Sequence, residues 1–349
     1  MSEILVRNLV KTFGETNVID DVTFTVPRGE ILVILGASGC GKTTTLRCLA
    51  GLEKPTSGEI VIDGKPMFGR NIDVPPENRG LGMVFQSYAL WPHKTVFGNV
   101  SYGLGNLSTE EKRSKVRDAL ALVGLSGTED RFPSTLSGGQ QQRIALARSA
   151  AARPKVMLLD EPLSNLDAKL RETMRSELRT LINELGMTAI YITHDQSEAM
   201  ALADQVIFMR NGKIEQKASP REIYNRPRTR AVAEFIGSAT FLDGRLLSSN
   251  GVGSEVDLGG FTLRSTSTLE RAAERAVVAI RPERVKLSQD ASGGGIIGKV
   301  RSQVFLGEAT EYEIEVHGIQ LVSKSRVELS AGQPVGVSIA PDDVILLPA

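Results

Sequence analysis

The sequence predicts two domains: an α/β domain built on a buried, largely parallel sheet, followed by a smaller all-β domain. Three observations carry this. The length of 349 residues exceeds the size at which a single core usually stops growing. Continuous apolar runs, ILVIL at Ile31 to Leu35, KVMLLD at Lys155 to Asp160 and AIYIT at Ala189 to Thr193, read as strands covered on both faces and alternate with segments of helical periodicity. From about Thr240 onward the texture changes to short β-like runs broken by glycine.

Taken in order, ILVIL leads into GASGCGKT, Gly36 to Thr43, and then into the helical run TTTLRCLAGL. Residues 88–153 read as a mostly helical insert, in which Ser108 and Glu111 form a capping box ahead of Val116, Ala119, Leu120 and Val123 on one face. The insert runs into LSGGQQQR, Leu136 to Arg143, a helix start with Ser137 as N-cap and Ile144, Ala147 and Ala151 following. After KVMLLD, the residues Leu170, Met174, Leu178, Leu181, Ile182 and Leu185 recur at helical spacing, and Gly186 stands where a C-terminal cap belongs. Asn211-Gly212 between IFM and KIE is a hairpin signal, and the first domain is expected to span 1–237. The second, 238–349, carries AVVAI, GGGIIGKV, YEIEV and VGVSI, regularly spaced short strands that suit a small barrel or sandwich.

Lysine plus arginine and aspartate plus glutamate are equal at 41 each, so nothing global draws the chain to nucleic acid or to an anionic bilayer. No nucleic acid partner is expected. There is no cationic, apolar, small-residue start of the secretory kind and no apolar run long enough to span a bilayer, so a soluble, cytosolic chain is expected. Cys40 and Cys48 read as free thiols of a reducing compartment, too far apart along one loop and helix to bridge.

GASGCGKT between a strand and a helix satisfies the context that the G-x4-G-K-[ST] pattern requires. Gly36, Gly39 and Gly41 would let the backbone N–H groups of Ala37, Ser38, Cys40 and their neighbours turn around phosphate oxygens, with Thr44 at the helix start. Lys42 would reach the β- and γ-phosphates, and Thr43 would offer its hydroxyl to Mg²⁺. Asp160 and Glu161 end a buried strand, where ligands gather in open α/β sheets: Asp160 would hold the metal and Glu161 would accept a proton from an attacking water. Cys40 lies near a helix N-terminus, a setting that can lower a thiol's pKa, and is expected only to be a thiol that alkylating reagents reach unless ATP shields it.

The set GASGCGKT, the glutamine of MVFQS (Gln86), LSGGQ, LLDEP, SNLD (Ser164 to Asp167) and THD (with His194), in this order, resembles the nucleotide-binding subunit of an ATP-binding cassette transporter. The resemblance implies a P-loop NTPase cassette with a RecA-like core, a helical insert and an antiparallel β subdomain, binding ATP and Mg²⁺. It also accounts for a second glycine-rich helix start. Two cassettes of this family close head to tail, so Ser137, Gly138, Gly139 and Gln140 would meet the γ-phosphate held by the opposite copy's Lys42 and Thr43. By the same resemblance, Phe13 would stack on adenine, Gln86 would sense Mg²⁺ and the attacking water, and His194 would contact the γ-phosphate. Asp167 would act across the dimer, and Arg131 stands where a contact to the opposite nucleotide is available.

AIRPERV, Ala279 to Val285, and VFLGEATEYEIEV, Val304 to Val316, resemble the oligonucleotide-fold accessory domain called TOBE, found on bacterial importer cassettes for sugars, iron(III) and polyamines. FIGSATFLDGR, Phe235 to Arg245, is closer to the iron(III) and polyamine branches. The implied partners are a second cassette, two integral membrane permease subunits docking near Gln86 to Leu104, and indirectly an extracytoplasmic solute-binding protein. The implied location is the cytoplasmic face of the bacterial inner membrane. The competing readings are a soluble cassette of translation or DNA repair, a separate-chain exporter cassette, and a P-loop kinase. The first usually has two cassettes in one chain or a long coiled coil before the signature, and a kinase leaves LSGGQ and the barrel unexplained.

Overall fold

The computed structural model describes residues 2–269, 274–290 and 296–348; Gly293 to Gly295 of the GGGIIGKV run lie outside the described residues. It divides into two compact units, Met1–Pro220 and Arg221–Ala349.

The first unit opens with the long hairpin of β1 (Ser2–Phe13) and β2 (Thr16–Pro27), then β3 (Ile31–Leu35) and α1 (Lys42–Ala50). Next come β4 (Ser57–Ile62), β5 (Lys65–Gly69), β6 (Ile72–Asp73) and β7 (Leu81–Val84). The helical stretch holds α2 (Val96–Val100), α3 (Thr109–Leu122) and α4 (Gly138–Ala151). The unit closes with β8 (Val156–Asp160), α5 (Ala168–Glu184), β9 (Thr188–Ile192), α6 (Gln196–Leu202), β10 (Gln205–Arg210) and β11 (Lys213–Ala218). One sheet, β2-β1-β4-β5-β6, is antiparallel. The other runs β11-β10-β3-β9-β8-β7, parallel from β10 to β7 with β11 as an antiparallel edge.

Every residue of β3, β8 and β9 is buried, which is why these strands read as unbroken apolar runs rather than as alternation. Ile4, Val6 and Leu9 of β1 share one core with Leu32 and Ile34 of β3 and Leu46 and Leu49 of α1. Each such buried aliphatic side chain contributes roughly 1.5–3 kcal/mol, so this core joins the two sheets around α1.

The predicted capping box of Ser108 with Glu111 opens α3, and Ser137, expected as an N-cap, opens α4 in a capping box with Gln140. Asn211 and Gly212 both take left-handed backbone, φ 50° and 77°, as a two-residue hairpin turn of this hand requires. Several helices end on arginine. Arg79 donates from Nη1 to the carbonyls of Cys48 and Leu49 at 2.8 Å each at the end of α1, and Arg143 donates to Val123 O at 3.0 Å just past α3. Each places a cation and donors on orphan carbonyls at the negative end of a helix.

The second unit begins with the helices α7 (Pro220–Asn225) and α8 (Arg230–Ile236). The strands are β12 (Thr240–Asn250), β13 (Gly253–Asp257), β14 (Thr262–Ser265), β15 (Arg275–Ile280), β16 (Lys286–Ser288), β17 (Ile296–Phe305), β18 (Thr310–Val316), β19 (Ile319–Ser325), β20 (Pro334–Ser338) and β21 (Val344–Pro348). They form two five-stranded antiparallel sheets, β14-β13-β12-β15-β21 and β16-β20-β17-β18-β19. Val278 and Ile280 of β15 meet Val300, Tyr312, Ile314 and Val337 in the core between the sheets. Val277 and Ala279, on the other face, pack with Ala233 of α8, Ile345 and Leu347. AVVAI is therefore apolar throughout because both of its faces are covered.

The sequence places the division at 237, whereas α7 and α8 cluster with the β unit. The physical reason is Arg281, only 2% exposed. Its Nη1 donates to Ala233 O, Gly237 O and Ser238 O at 2.9, 2.6 and 3.1 Å, its Nη2 donates to Tyr224 O at 3.3 Å, and its guanidinium stacks on the Tyr224 ring at 4.4 Å. One buried side chain thus fastens both helices to the sheet.

Candidate active site

The parallel register sets the carboxyl ends of four strands at one level: Ile34 pairs with Ile192, Asp160 with Ile192, and Val84 with Leu159. The loops after β3, β7, β8 and β9 accordingly converge on one edge of the sheet, the position where open α/β sheets bind ligands.

The loop after β3 holds the glycine cradle. Gly36, Gly39 and Gly41 have φ of 155°, 80° and 106°, and a Cβ on Gly41 would stand 2.5 Å from Val18 O. No L side chain fits there without moving the backbone. Lys42 is buried, and its Nζ donates to Gly36 O at 2.8 Å and Ala37 O at 3.0 Å, so the ammonium is held by its own loop. Ala37 and Ser38 are exposed at the rim, and Thr43 and Thr44 are half-buried in the first turn of α1.

Thr43 Oγ1 donates to Asp160 Oδ1 at 3.2 Å. Burial raises the Asp160 carboxyl above its ordinary value, against the Thr43 hydrogen bond and the Arg47 and Lys42 charges that lower it. Beside it, Glu161 adopts left-handed backbone at φ 44°, which in a residue with a Cβ costs about 1–2 kcal/mol. The conformation is held by Glu161 N donating to Ile192 O at 3.0 Å and by Ser164 Oγ donating to Glu161 O at 2.9 Å. Strain of this kind collects at functional positions because the surroundings over-determine it.

The Glu161 Oε2 atom is a meeting point. His194 Nδ1 lies 3.1 Å from it, and Gln86 Nε2 donates to it at 3.4 Å. Thr43 with Asp160, near the Lys42 charge, and Gln86 and His194 with Glu161 thus form two adjoining clusters. Among the described residues, Phe13, Arg131, Ser137, Gly138, Gly139, Gln140 and Asp167 make no hydrogen bond with them. Phe13 is 48% exposed at the end of β1 with Lys11 Nζ 4.5 Å from its ring centre. Ser137 Oγ accepts from Gln140 N at 3.3 Å while Gln140 Oε1 accepts from Ser137 N at 3.1 Å, and Gly138 is exposed. A Cβ on Gly139 would stand 2.7 Å from Leu170 Cδ2, so that glycine is a helix-packing position. Asp167 caps α5 by accepting from Leu170 N at 3.0 Å, and Arg131 is exposed, with its carbonyl accepting from Val96 N at 2.8 Å.

Cys40 departs from the expectation. It is 5% exposed, and burial raises its thiol pKa despite the nearby Lys42 ammonium, which pulls the other way. Helix-end activation loses to desolvation, so Cys40 is not a reagent-accessible thiolate. Cys48 is buried too, its pKa pushed up to about 12 by burial, and neither cysteine is bridged.

Sequence reasoning missed several supporting residues. Asn165 donates to Gln86 O at 2.8 Å, linking the SNLD loop to the glutamine loop. Arg148 of α4 donates to Ala89 O and Tyr88 O at 2.6 and 2.8 Å, two residues in left-handed backbone, and lies 5.2 Å over the Trp91 ring. Trp91 in turn packs against Tyr102, ring centres 4.3 Å apart and planes tilted by 45°, and Tyr102 is 64% exposed. Only Asn165 carried a signal, its place inside SNLD; the arginine meets its partners through the fold alone.

A strand, glycine loop and buried lysine, with a strand-terminal Asp-Glu pair facing a glutamine and a histidine, define a P-loop nucleoside triphosphatase. The comparisons narrow this. A family model described as ABC transporter matches residues 19–164, and one described as TOBE domain matches 278–347. The chain is 45% identical over 336 residues, 95% of its own length and 94% of the relative's, to the Fe(3+) ions import ATP-binding protein FbpC of Brucella melitensis. It is 45% identical over 309 residues, 87% of this chain and 91% of the relative, to the corresponding FbpC 1 protein of Haemophilus influenzae. Among solved structures, the dimeric post-hydrolysis state of the ATP-binding cassette MJ0796 bound to ADP and Pi superposes with a TM-score of 0.57 at 33% identity, covering 62% of this chain and 99% of that one. The chain belongs to the ABC transporter family and is one of its ATP-binding ATPases, with a C-terminal TOBE domain.

Proposed function

We propose that this chain is the ATP-hydrolysing subunit of an iron(III) import complex, working as a homodimer that sandwiches two Mg-ATP. The observation that carries the chemistry is Glu161 Oε2 within reach of both His194 and Gln86. A carboxylate so placed accepts the proton of an attacking water while the two side chains orient that water on the γ-phosphate. Phe13 is exposed for adenine, and Lys42 leaves its loop carbonyls for the β- and γ-phosphates.

Thr43 Oγ1 and Asp160 Oδ1 are hard oxygen donors 3.2 Å apart, a fit for Mg²⁺, and Gln86, which contacts the neighbouring Glu161, would be a further oxygen donor to the ion. Thr43 and Asp160 would hold the ion, which would supply charge neutralisation for phosphoryl transfer. Ser137, Gly138, Gly139 and Gln140, outside the cluster within one chain, complete the opposite copy's site, with Arg131 and Asp167 near the seam.

Iron(III) as cargo rests on the similarity to the FbpC relatives, which are Fe(3+) ions import ATP-binding proteins. Among the described residues no helix is long and apolar enough to cross a membrane, so the path for solute is assigned to two permease subunits. Their docking surface is the Trp91–Tyr102 region, tied by Arg148 to α4, and the chain sits peripherally on the cytoplasmic face of the inner membrane. An extracytoplasmic binding protein delivers the solute.

The test is Glu161→Gln at saturating Mg-ATP. Turnover is expected to fall about 10²- to 10⁴-fold, the range a general base supplies, while ATP is retained and the protein elutes at dimer mass. Near-normal turnover, or an ATP-bound monomer, defeats the proposal.

A further inference from the structure

Two loops flank the Glu161 carboxylate, the Ser164–Asp167 loop that opens α5 and the Thr193–Asp195 loop that opens α6, and one side chain touches both. Arg171 lies one turn into α5, its N–H donating to Asp167 O at 2.9 Å. Its Nη2 folds back to donate to Leu166 O at 3.0 Å, and its Nη1 pairs with Asp195 Oδ2 at 3.3 Å. Its Nε is buried without a hydrogen bond, 4.0 Å from Glu198 Oε1.

The far side of this contact is rigid. Asp195 Oδ1 accepts from Ser197 N at 2.8 Å and Glu198 N at 3.2 Å, capping α6. Asp195 N donates to Thr193 Oγ1 at 2.9 Å, and Thr193 Oγ1 donates to the buried Glu198 Oε2 at 2.6 Å. Both neighbours of His194 are therefore pinned, while the imidazole is 60% exposed and has Glu161 as its hydrogen-bonding partner. Where the ring stands on Glu161 follows from where Asp195 stands. The Asp195 oxygen not used in capping is the one that Arg171 holds.

We infer that Arg171 is a positioning residue for His194, tying the imidazole's loop to the Ser164–Asp167 loop so that movement of Asp167 at the dimer seam is passed to the hydrolytic centre. The inference rests on the proposed roles of His194 and Asp167. Arg171 touches no reacting atom. Its planar fork reaches a carbonyl on one loop and a carboxylate on the other at once, which a lysine's single ammonium does not reproduce.

Arg171→Met is a usable variant because the α6 cap and the Glu198 hydrogen bonds do not involve the guanidinium. The expected result is a drop in kcat of about tenfold or more with KM for ATP within about twofold and dimerisation in the Glu161→Gln background retained, since only transition-state geometry is lost. Arg171→Lys is expected to restore less than half of the lost kcat. In a His194→Ala background, Arg171→Met is expected to lower residual turnover no further, because a residue acting through another is silent once that other is gone. A kcat within twofold of wild type for Arg171→Met, a fall in ATP affinity or dimerisation in its place, or full additivity with His194→Ala overturns the inference. Near-normal turnover in His194→Ala alone marks the failure of the proposed hydrolytic role instead.

Discussion

Lys42 Nζ donates to the carbonyl oxygen of Gly36 at 2.8 Å, closing the glycine loop between β3 and α1. With Ala37 O at 3.0 Å as a second acceptor, the ammonium is satisfied by its own loop. If Lys42 binds ATP as proposed, its ammonium exchanges those carbonyls for phosphate oxygens. Wild type at about a hundredfold excess of ATP over Kd is expected to gain about 2.7 kcal/mol of stability. Lys42→Met is expected to lose most of that gain, read as the nucleotide-dependent shift in Tm. An equal shift in the variant would remove Lys42 from phosphate binding.

Gly138 and Gly139 are adjacent yet differ in what a methyl group would meet. A Cβ on Gly138 has Leu166 Cδ2 at 4.0 Å as its neighbour, ordinary contact, and the residue is exposed. Gly138→Ala is thus expected to keep stability or raise it by at most about 1 kcal/mol. If the exposed backbone of Gly138 closes on the opposite copy's γ-phosphate, turnover falls about 10²- to 10³-fold, the loss typical of a blocked oxyanion donor. Unchanged turnover at unchanged stability would leave LSGGQ as a capped helix and nothing more.

Glu198 is buried against Tyr191, whose hydroxyl donates to its Oε2 at 2.8 Å, and against Thr193, with Arg171 and Asp195 as the charged groups facing it. Burial raises its pKa above 4.5, outweighing the hydrogen bonds and the Arg171 charge. Below the ordinary glutamate range both folded and unfolded chains are protonated and no penalty exists. As pH rises, the unfolded chain ionises first, so the folded chain loses stability until pH passes the raised value. Gln at this position keeps an acceptor for both hydroxyls and does not ionise. The stability difference, Glu198→Gln minus wild type, is expected to increase from pH 4 to pH 8 in thermal unfolding; a flat or falling difference refutes the assignment.

Arg281 satisfies four backbone carbonyls from a buried position. Arg281→Ala leaves those acceptors without partners and opens a cavity, with an expected cost of about 3 kcal/mol to the second unit. Arg281→Lys recovers only part of this, because one ammonium cannot reach acceptors on α7 and on the end of α8 together. Urea unfolding followed by tyrosine signals from Tyr224 and Tyr312 measures it. A cost under 1 kcal/mol for alanine would show that α7 and α8 are held by apolar packing alone.

Much of this molecule was legible in the chain because the signals were local. Buried strands announced themselves as apolar runs, the start of α3 as Ser108 with Glu111 three residues on, the start of α4 as the N-cap Ser137, and the glycine loop by its place between a strand and a helix. The convergence of Gln86, Asp160, Glu161 and His194 was readable only through the order of known motifs, since the register that levels β7, β8 and β9 is not written in any one segment.

The sequence by itself determined the periodicity, the caps and the glycine positions, all set by interactions within a few residues. Tertiary structure alone decided the long-range side-chain grips. Arg148 on Tyr88 and Ala89, Arg171 across two loops and Arg281 across two helices each join segments separated along the chain. It also decided the state of Cys40, where neighbours supplied by the fold bury a thiol that its helix-end position would otherwise activate. Desolvation and carbonyl satisfaction depend on what surrounds a group in three dimensions, and a one-dimensional pattern holds no record of those surroundings.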